Sequence, residues 1–436
     1  MALRSLCYNG YWFCFPLTSP ARTLPFGAAM NLRRLSSVSL GHLVIDVLGS
    51  SVAMILTALA VPFALSNSEI GLGVMIYQLV GSLTQPYFGW LADRLGGRWL
   101  GALGLAWTAA FYWAATFATS YGGLLLLMSL AALGSAAFHP QGAMNASDAG
   151  RRRASSATAI FFLLGQTGLA LGPMLAGVLL ENSGLAGVRI LAGAAVPFVF
   201  LMAFWLGKPA DFATHAAPSS PPSTASDSSS PAASTPASAG SSLRRSVFVA
   251  FVLVVALRAT AQSGFYGLLP KFLADQGYTP SAYGLMVGIF SIALALGTLG
   301  GGLLGDRFSH RTLLIWACLL STPFAVWMLN STGPAFVAAS ALAGLLVGVP
   351  HSILVVMAQN LLPKRQGLAS GSVLGFMFAA GAAGTGLAGW AADFVGLPLV
   401  LLVIALLPLG AGLSAFFLER PHQYASAAMT ASVPGD

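Results

Sequence analysis

The stretch Gly89-Trp-Leu-Ala-Asp93-Arg94-Leu-Gly96-Gly97-Arg98 decides the fold, because a second copy follows later in the chain. Adding 213 to positions 89, 93, 94 and 98 gives the same residue types in Gly302-Leu-Leu-Gly-Asp306-Arg307-Phe-Ser-His-Arg311. Each copy lies between long apolar runs, where a charged turn marks an exit into water. The sequence therefore predicts two copies of one membrane-embedded unit.

The composition indicates a membrane protein. Of 436 residues, 7% are charged, 56% are hydrophobic and 50 are glycine. A water-soluble chain of this length could not stay in solution with so few charges. Apolar runs of about 20 residues recur, each long enough to cross a bilayer core of about 30 Å. The predicted fold class is an all-α membrane protein with twelve transmembrane helices in two pseudo-symmetric six-helix bundles.

The predicted spans divide equally between the two copies. Those of the first half are 38–64, 70–91, 99–118, 121–144, 156–180 and 186–206. Those of the second half are 247–270, 282–304, 312–329, 333–358, 368–392 and 397–418.

Five segments follow from this division. The two bundles take residues 37–207 and 246–420, and a disordered cytoplasmic linker rich in Pro, Ser and Ala, residues 208–245, joins them. Residues 1–36 and 421–436 are predicted to be disordered tails. For the first tail the alternative is an upstream mis-start, with Met30 as the true first residue.

Basic residues in the short loops predict the orientation. If the N-terminus is cytoplasmic, the outer loops contain Arg189 and Lys271, whereas the inner loops contain nine basic residues. The nine are Arg94, Arg98, Arg151, Arg152, Arg153, Arg307, Arg311, Lys364 and Arg365. We therefore expect a multi-pass protein of the cell membrane with both termini in the cytoplasm. The net charge of +8 reflects this topology, so nucleic acid is not an expected partner.

The first span contains His42 and Asp46, four residues apart and so on one helical face. A carboxylate inside a bilayer costs about 3 kcal/mol or more unless it faces a partner or water. We interpret Asp46 as a functional residue. The alternative is a structural hydrogen bond to a neighbouring helix.

Two histidines occupy equivalent positions in the two halves. His139 precedes Pro140, His351 follows Pro350, and 139 plus 212 is 351. A proline frees helical carbonyl groups, so this pattern predicts a polar cavity lined from both halves. The alternative is a pair of buried histidines bonded to the freed carbonyls. Gln141, just after Pro140, is included in the predicted cavity lining.

Arg258 lies near the middle of the seventh span, at the position that Asp46 holds in the first copy, since 46 plus 212 is 258. An intramembrane arginine needs an anion, and the candidates are Asp46 and an anionic group of a substrate. Gln166 and Gln359 are weaker polar candidates for the same pathway.

The repeated turn is predicted to be a conformational gate. Asp93 and Asp306 are placed to accept hydrogen bonds at the start of another helix, with nearby arginines holding them. The gate residues are Gly89, Asp93, Arg94, Arg98, Gly302, Asp306, Arg307 and Arg311.

Spans five and eleven contain small residues at spacings that allow close helix packing. At an offset of 212, Gly384, Gly389 and Asp393 repeat Gly172, Gly177 and Glu181. The residues predicted to pack or bend these helices are Gly168, Gly172, Pro173, Gly177, Gly384 and Gly389.

Together these motifs resemble the major facilitator superfamily over residues 38–420. Within it, three features are similar to the fosmidomycin-resistance branch of efflux proteins: Phe138-His139-Pro140, His42 with Asp46, and the stretch that begins Ala358-Gln359-Asn360-Leu361-Leu362-Pro363. That stretch continues with Arg365, Gly367, Ser370 and Gly371. The resemblance implies proton-driven export of small anionic or amphipathic molecules by alternating access, with the Asp93 and Asp306 turns closing the inner gate.

The chain departs from the branch beside His139. Branch members usually carry a glutamate straight after the His-Pro pair and an arginine three residues further on, where this chain has Gln141 and Met144. Proton coupling would then fall on Asp46 and the histidines, and uniport or another coupling ion becomes more plausible. Residues 168–177 also resemble the glycine-proline motif of superfamily antiporters, with the final glycine pair reduced to Ala176-Gly177.

The leading hypothesis is a monomeric secondary transporter in which Arg258 attracts an anionic substrate and Asp46 takes the proton. An uptake symporter or uniporter for a small metabolite is the nearest alternative, and a channel is another. For a metal-dependent membrane enzyme, the acids and histidines are too few and too dispersed. The sequence contains no phosphate-binding glycine loop followed by Lys-Ser or Lys-Thr, so it gives no support to an ATP-driven pump. We expect neither a metal nor a cofactor.

Overall fold

The computed structural model describes residues 30–95, 98–206, 239–305, 307–361 and 366–418, and within these ranges all regular elements are helical. The eight helices of the first half are α1 Leu32–Ser50, α2 Val52–Ala58, α3 Asn67–Leu95, α4 Arg98–Ala115, α5 Tyr121–Gly150, α6 Ala154–Ser183, α7 Leu185–Gly193 and α8 Val196–Trp205. A short 3₁₀ turn, Arg151–Arg153, joins α5 to α6.

The seven helices described in the second half are α9 Ala239–Asp275, α10 Pro280–Gly305, α11 His310–Leu329, α12 Gly333–Gly348, α13 Pro350–Leu361, α14 Gln366–Val395 and α15 Leu397–Ala415. The predicted tails and linker lie almost wholly outside the described residues. Two of their predicted boundaries, at 36 and 245, differ from the helix starts at Leu32 and Ala239. At the first of these, the side chain of Asn31 accepts a hydrogen bond from the backbone N–H of Arg34, which caps α1.

Ten helical stretches in the described part of the chain are long and apolar enough to cross a membrane. The two other predicted spans, 70–91 and 99–118, are helical as α3 and α4 but are less apolar. Polar side chains explain this, because α3 contains Gln78 and Gln85 and α4 begins with Arg98. The count of twelve therefore stays a prediction.

Three of the predicted spans are each divided into two helices. The breaks fall at Ser51, at 194–195 and at Val349. Pro197 and Pro350 lie in the first turn of the helix that follows the second and third breaks. A residue without an N–H is tolerated there, because the first helical N–H groups have no partner within the helix.

The two sequence halves pack closely at one end of the molecule. A Cβ added to Gly71 of α3 would lie 2.9 Å from Cα of Gly389 in α14. A Cβ added to Gly177 of α6 would lie 2.3 Å from the carbonyl oxygen of Pro280 and 3.2 Å from Cα of Gly284, both in α10. Only glycine permits backbones to approach so closely.

Two carboxylates cap helices of the opposite half at this same end. Asp393 of α14 accepts hydrogen bonds from the backbone N–H groups of Asn67 and Ser68 at 2.8 and 3.0 Å. Glu181 of α6 accepts one from the N–H of Ser281 at 2.8 Å, and both serine hydroxyls also donate to these carboxylates. The residues of one contact are those of the other shifted by 212 or 213, since 181 plus 212 is 393 and 68 plus 213 is 281. We call this region, residues 67–71, 177–181, 280–284 and 389–393, the packed end.

Candidate functional site

An aspartate and two histidines meet in the first half. Oδ2 of Asp46 lies 3.3 Å from Nε2 of His42, and Oδ1 lies 3.3 Å from Nε2 of His139. The Asp46 side chain is 13% exposed, that of His42 is 4% exposed and that of His139 is 25% exposed. His139, which the sequence singled out separately from the pair His42 and Asp46, therefore joins that pair in one cluster, which we call the acid–histidine cluster.

Backbone carbonyl groups orient both imidazole rings. Nδ1 of His42 lies 2.8 Å from the carbonyl oxygen of Phe161 in α6, and its ring stacks on the Phe161 ring with centroids 4.0 Å apart. Nδ1 of His139 lies 2.8 Å from the carbonyl oxygen of Ser135, one turn earlier in α5. Each ring therefore presents its other nitrogen, Nε2, to Asp46.

The local sequence explains why the cluster forms. His42 and Asp46 share one face of α1 because they are four residues apart. α6 comes close to that face at two glycines. A Cβ on Gly165 would lie 2.3 Å from Cε1 of His42, and one on Gly168 would lie 2.2 Å from the carbonyl oxygen of Leu43.

A buried arginine forms a separate site in the second half. Arg258 of α9 is 2% exposed. Its Nε donates to the carbonyl oxygen of Val347 at 3.2 Å, and its Nη1 donates to Nδ1 of His351 at 3.2 Å. Its Nη2 is buried without a hydrogen-bond partner. Arg258 and His351 together form what we call the arginine site.

Of the two anions that the sequence offered for Arg258, Asp46 is not its partner in this structure, because Asp46 contacts His42 and His139 instead. Among the residues that the structure describes, no carboxylate lies within salt-bridge distance of Arg258. This guanidinium group therefore carries a donor that a bound anion would satisfy.

Of the three glutamines in the predicted pathway, the two whose side chains the structure describes, Gln141 and Gln166, make no hydrogen bond to either site. Gln141 is fully buried, and its Cγ packs on Gly101 of α4, where neither amide atom has a hydrogen-bond partner. It faces the interior of the first half rather than Asp46, because it lies two residues beyond His139 on a different face of α5. Gln166 is half-buried on α6, and the side chain of Gln359 lies outside the described residues.

The gate residues are described only in part. Gly89 lies beside Pro140, and Gly302 lies beside Ser352. The guanidinium group of Arg94 stacks on Trp90 at 4.1 Å from the ring centroid. Elsewhere in the gate, Nη2 of Arg311 donates to the carbonyl oxygen of Phe416 at 2.6 Å, and Arg307 is exposed in a turn. The side chains of Asp93, Arg98 and Asp306 lie outside the described residues, so the predicted latch at these turns stays a prediction.

The glycines singled out for packing lie at helix contacts. A Cβ on Gly172 would meet Val47 of α1 at 2.5 Å from its carbonyl oxygen, and one on Gly384 would meet Thr260 of α9. Pro173 lies inside α6, and its carbonyl oxygen faces Gly284 of α10. Gly177 and Gly389 form the packed end.

The sequence reasoning missed the role of Glu181 and Asp393. It predicted carboxylate contacts with helix starts at the Asp93 and Asp306 turns and did not consider them at the other end of the helices, where the structure shows them for Glu181 and Asp393. The sequence did contain a signal for this role, because Glu181 and Asp393 repeat at an offset of 212, each at the end of an apolar span. Acids at equivalent positions of a duplicated unit are expected to bind partners of the same kind.

Proton exchange is the chemistry best suited to the acid–histidine cluster, which holds three titratable groups in contact and partly open to solvent. The three candidate ligand atoms lie within 4.8 Å of one another, so the spacing would also admit a small cation. The arginine site, by contrast, offers only donors and suits an oxyanion.

Comparison with known proteins identifies the family of the chain. The family model of the Major Facilitator Superfamily matches residues 38–279 and 251–432. The Fosmidomycin resistance protein of Escherichia coli (strain K12) is 30% identical over 405 residues, 89% of this chain and 93% of that protein. The uncharacterized MFS-type transporter YfnC of Bacillus subtilis (strain 168) is 28% identical over 88% of this chain and 92% of its own length.

Solved structures share the fold. A bacterial homolog of the human lysosomal transporter Spinster, in an inward-facing and occupied conformation, has a TM-score of 0.72 at 15% identity, covering 89% of this chain and 97% of that one. The nucleoside transporter NupG has a TM-score of 0.69 at 13% identity, covering 89% of this chain and 98% of that one. The chain is therefore a multi-pass integral membrane transporter, not an enzyme, and it belongs to the major facilitator superfamily, where it resembles the fosmidomycin-resistance branch.

Proposed function

We propose that this transporter exports small anionic or amphipathic molecules across the cell membrane in exchange for protons. The related Escherichia coli protein is named for resistance to fosmidomycin, which supports export of a molecule of drug size. In this proposal the twelve predicted helices form two six-helix bundles, residues 37–207 and 246–420, which move against each other by alternating access. The repeated contacts of the packed end support two equivalent bundles.

The basic residues support an orientation. On the side of the molecule opposite the packed end, basic residues lie in the last turn of a helix or just after it: Arg94, Arg151 and Arg307. The excess of basic residues there favours the cytoplasmic side, which leaves the packed end facing outward. A transporter packed on its outer side is ready to accept solute from the cytoplasm.

The observation that carries the proposal is the unpartnered donor of Arg258. A fully buried guanidinium group without a counter-anion is costly, and an oxyanion bound beside Nη2 would remove much of that cost. His351 accepts from Arg258 through Nδ1, so its Nε2 carries a hydrogen and is a second donor nearby. An anionic group of the substrate therefore matches both donors.

Coupling to protons is assigned to the acid–histidine cluster in the other half, whose anion is Asp46. Since Asp46 and Arg258 do not touch, protons cannot displace the substrate by direct competition for one ion pair. Instead, the protons and the substrate would each shift the same equilibrium between inward-open and outward-open forms. Binding of one is thereby linked to binding of the other without contact between the two sites.

The test uses inside-out membrane vesicles with an acidic interior and fosmidomycin as the probe. The wild-type chain should accumulate fosmidomycin inside the vesicles, and a protonophore should abolish the accumulation. Arg258→Ala should lose it, whereas the control Arg189→Ala, whose guanidinium group lies over the ring of Phe117 in the first half, should retain it. Undiminished accumulation by Arg258→Ala would overturn the anion assignment.

The second candidate is an uptake symporter or uniporter for a small metabolite. It is favoured by Gln141, which stands where branch members usually have an acid and which lies apart from the cluster. Fosmidomycin movement that follows only its own concentration gradient, with no response to pH, would support uniport and reject coupled export.

A further inference from the structure

The hydrogen bonds of the two histidines fix where their protons lie. A carbonyl oxygen can only accept, so Nδ1 of His42 donates to Phe161 and Nδ1 of His139 donates to Ser135. A neutral imidazole has one N–H, which is then used at Nδ1. In its neutral form each ring therefore presents a bare lone pair at Nε2.

Both lone pairs face the same carboxylate. Nε2 of His42 approaches Oδ2 of Asp46 and Nε2 of His139 approaches Oδ1, each at 3.3 Å. An ionised carboxylate also has only acceptors, so each contact is repulsive unless a proton or a cation lies between the two atoms. Because the contacts involve different oxygens, one proton cannot serve both.

We propose that the acid–histidine cluster binds two protons, one on Nε2 of each histidine, with Asp46 as the anion shared between them. The inference deepens the proposed function, on which it rests for the use made of the protons. The count of two comes from two Nε2 lone pairs that face two different carboxylate oxygens, and a bound cation in place of the protons is an outcome of the test. His42 and His139 are then proton-binding residues in their own right.

The charge of the cluster changes with each proton. With both rings neutral and Asp46 ionised the cluster carries −1, the first proton makes it neutral, and the second makes it +1. A net charge in a membrane interior is unfavourable unless it is compensated or wetted. The second proton should therefore bind when the cluster faces water, and His139, with a side chain that is 25% exposed, is the ring open to water.

The groups that face the cluster do not offer a second counter-charge. α6 presents the rings of Phe161 and Phe162, and α5 presents Ser135 together with His139 itself. From α3, Tyr77 approaches the next turn of α1, where its hydroxyl would lie 3.3 Å from a Cβ on Gly49. Among the described residues, the other ion pairs lie elsewhere. Two protons therefore have Asp46 as their shared partner.

The test counts protonated rings directly. The full chain, labelled with ¹⁵N-histidine and held in lipid nanodiscs, is titrated from pH 8 to pH 5 with EDTA present, and the signals are assigned with His42→Asn and His139→Asn. We expect two rings to pass from the Nδ1–H form to the doubly protonated form, with one transition missing in each variant. The control His310→Asn, at the start of α11, should leave both transitions unchanged.

Several results would overturn the proposal. One is a wild-type spectrum in which only one of the two cluster rings passes from the Nδ1–H form to the doubly protonated form. The others are a protonated carboxyl band in the infrared spectrum that disappears in Asp46→Asn, and a stoichiometric metal ion whose removal by EDTA alters the Nε2 signals. If His42→Asn does not fold, loss of both transitions in Asp46→Asn supplies the same test. Two transitions in a chain that does not move fosmidomycin would reject the proposed export and leave the two-proton site standing.

Discussion

Gly177→Ala should open the packed end. The added Cβ would lie 2.3 Å from the carbonyl oxygen of Pro280, whereas ordinary contact begins at 3.4 Å, so α6 and α10 must part by about 1 Å (3.4 − 2.3). Overpacking of this kind costs about 1–3 kcal/mol. The clash exists only while the two helices touch, so the equilibrium should shift toward the form open at this end by about 5- to 150-fold.

Accessibility labelling measures the shift. In a chain with its three cysteines replaced, Met75→Cys on α3, which packs on Gly386 of α14, reports opening to a membrane-impermeant maleimide added outside. In the Gly177→Ala variant, this cysteine should react with the maleimide about 5- to 150-fold faster than in the parent. Gly193→Ala is the matched control, because a Cβ there would meet nothing within 4 Å. Equal labelling rates in the two alanine variants would refute the reasoning.

Three further predictions follow from the same contacts. The charge at a helix start is removed, but an acceptor is kept, in Asp393→Asn and in Glu181→Gln. Each variant should therefore increase the labelling rate of Met75→Cys, and the double variant should increase it further. An unchanged labelling rate in the double variant would reject the role of these carboxylates as caps. Arg258→Lys keeps the charge but loses the planar fork, so fosmidomycin accumulation should fall at least about tenfold, and a wild-type level would contradict an oxyanion at this site. Gly165→Ala places a Cβ 2.3 Å from the His42 ring, so a thermal-denaturation midpoint equal to that of the wild type would argue against the described packing.

Local periodicity accounts for what the sequence could predict. His42 and Asp46 are neighbours on any helix because they are four residues apart, and the offset of 212 between His139 and His351 placed both at comparable depth. The repeat also predicted that the chain belongs to the major facilitator superfamily, which the family match confirms. Features set by short spacings or by duplication were therefore accessible.

Features set by tertiary packing could not be predicted from the sequence. The sequence left the partner of Arg258 open between Asp46 and a substrate, because its choice of His351 depends on how α9 meets α13. Gln141 seemed to belong with His139, yet it packs on Gly101 of α4. The direction of a side chain on a helix that is apolar on all faces cannot be read from periodicity, since no face is marked as exposed.

The central claim is that protons act through Asp46, and one measurement tests it most directly. Proteoliposomes containing Asp46→Asn are compared with the wild type and with the exposed control Asp275→Asn, first for fosmidomycin exchange at equal pH and then under an imposed pH gradient. The account predicts that Asp46→Asn still exchanges fosmidomycin but no longer accumulates it in response to the gradient, whereas the control responds fully. A response of Asp46→Asn equal to that of the wild type would contradict the account.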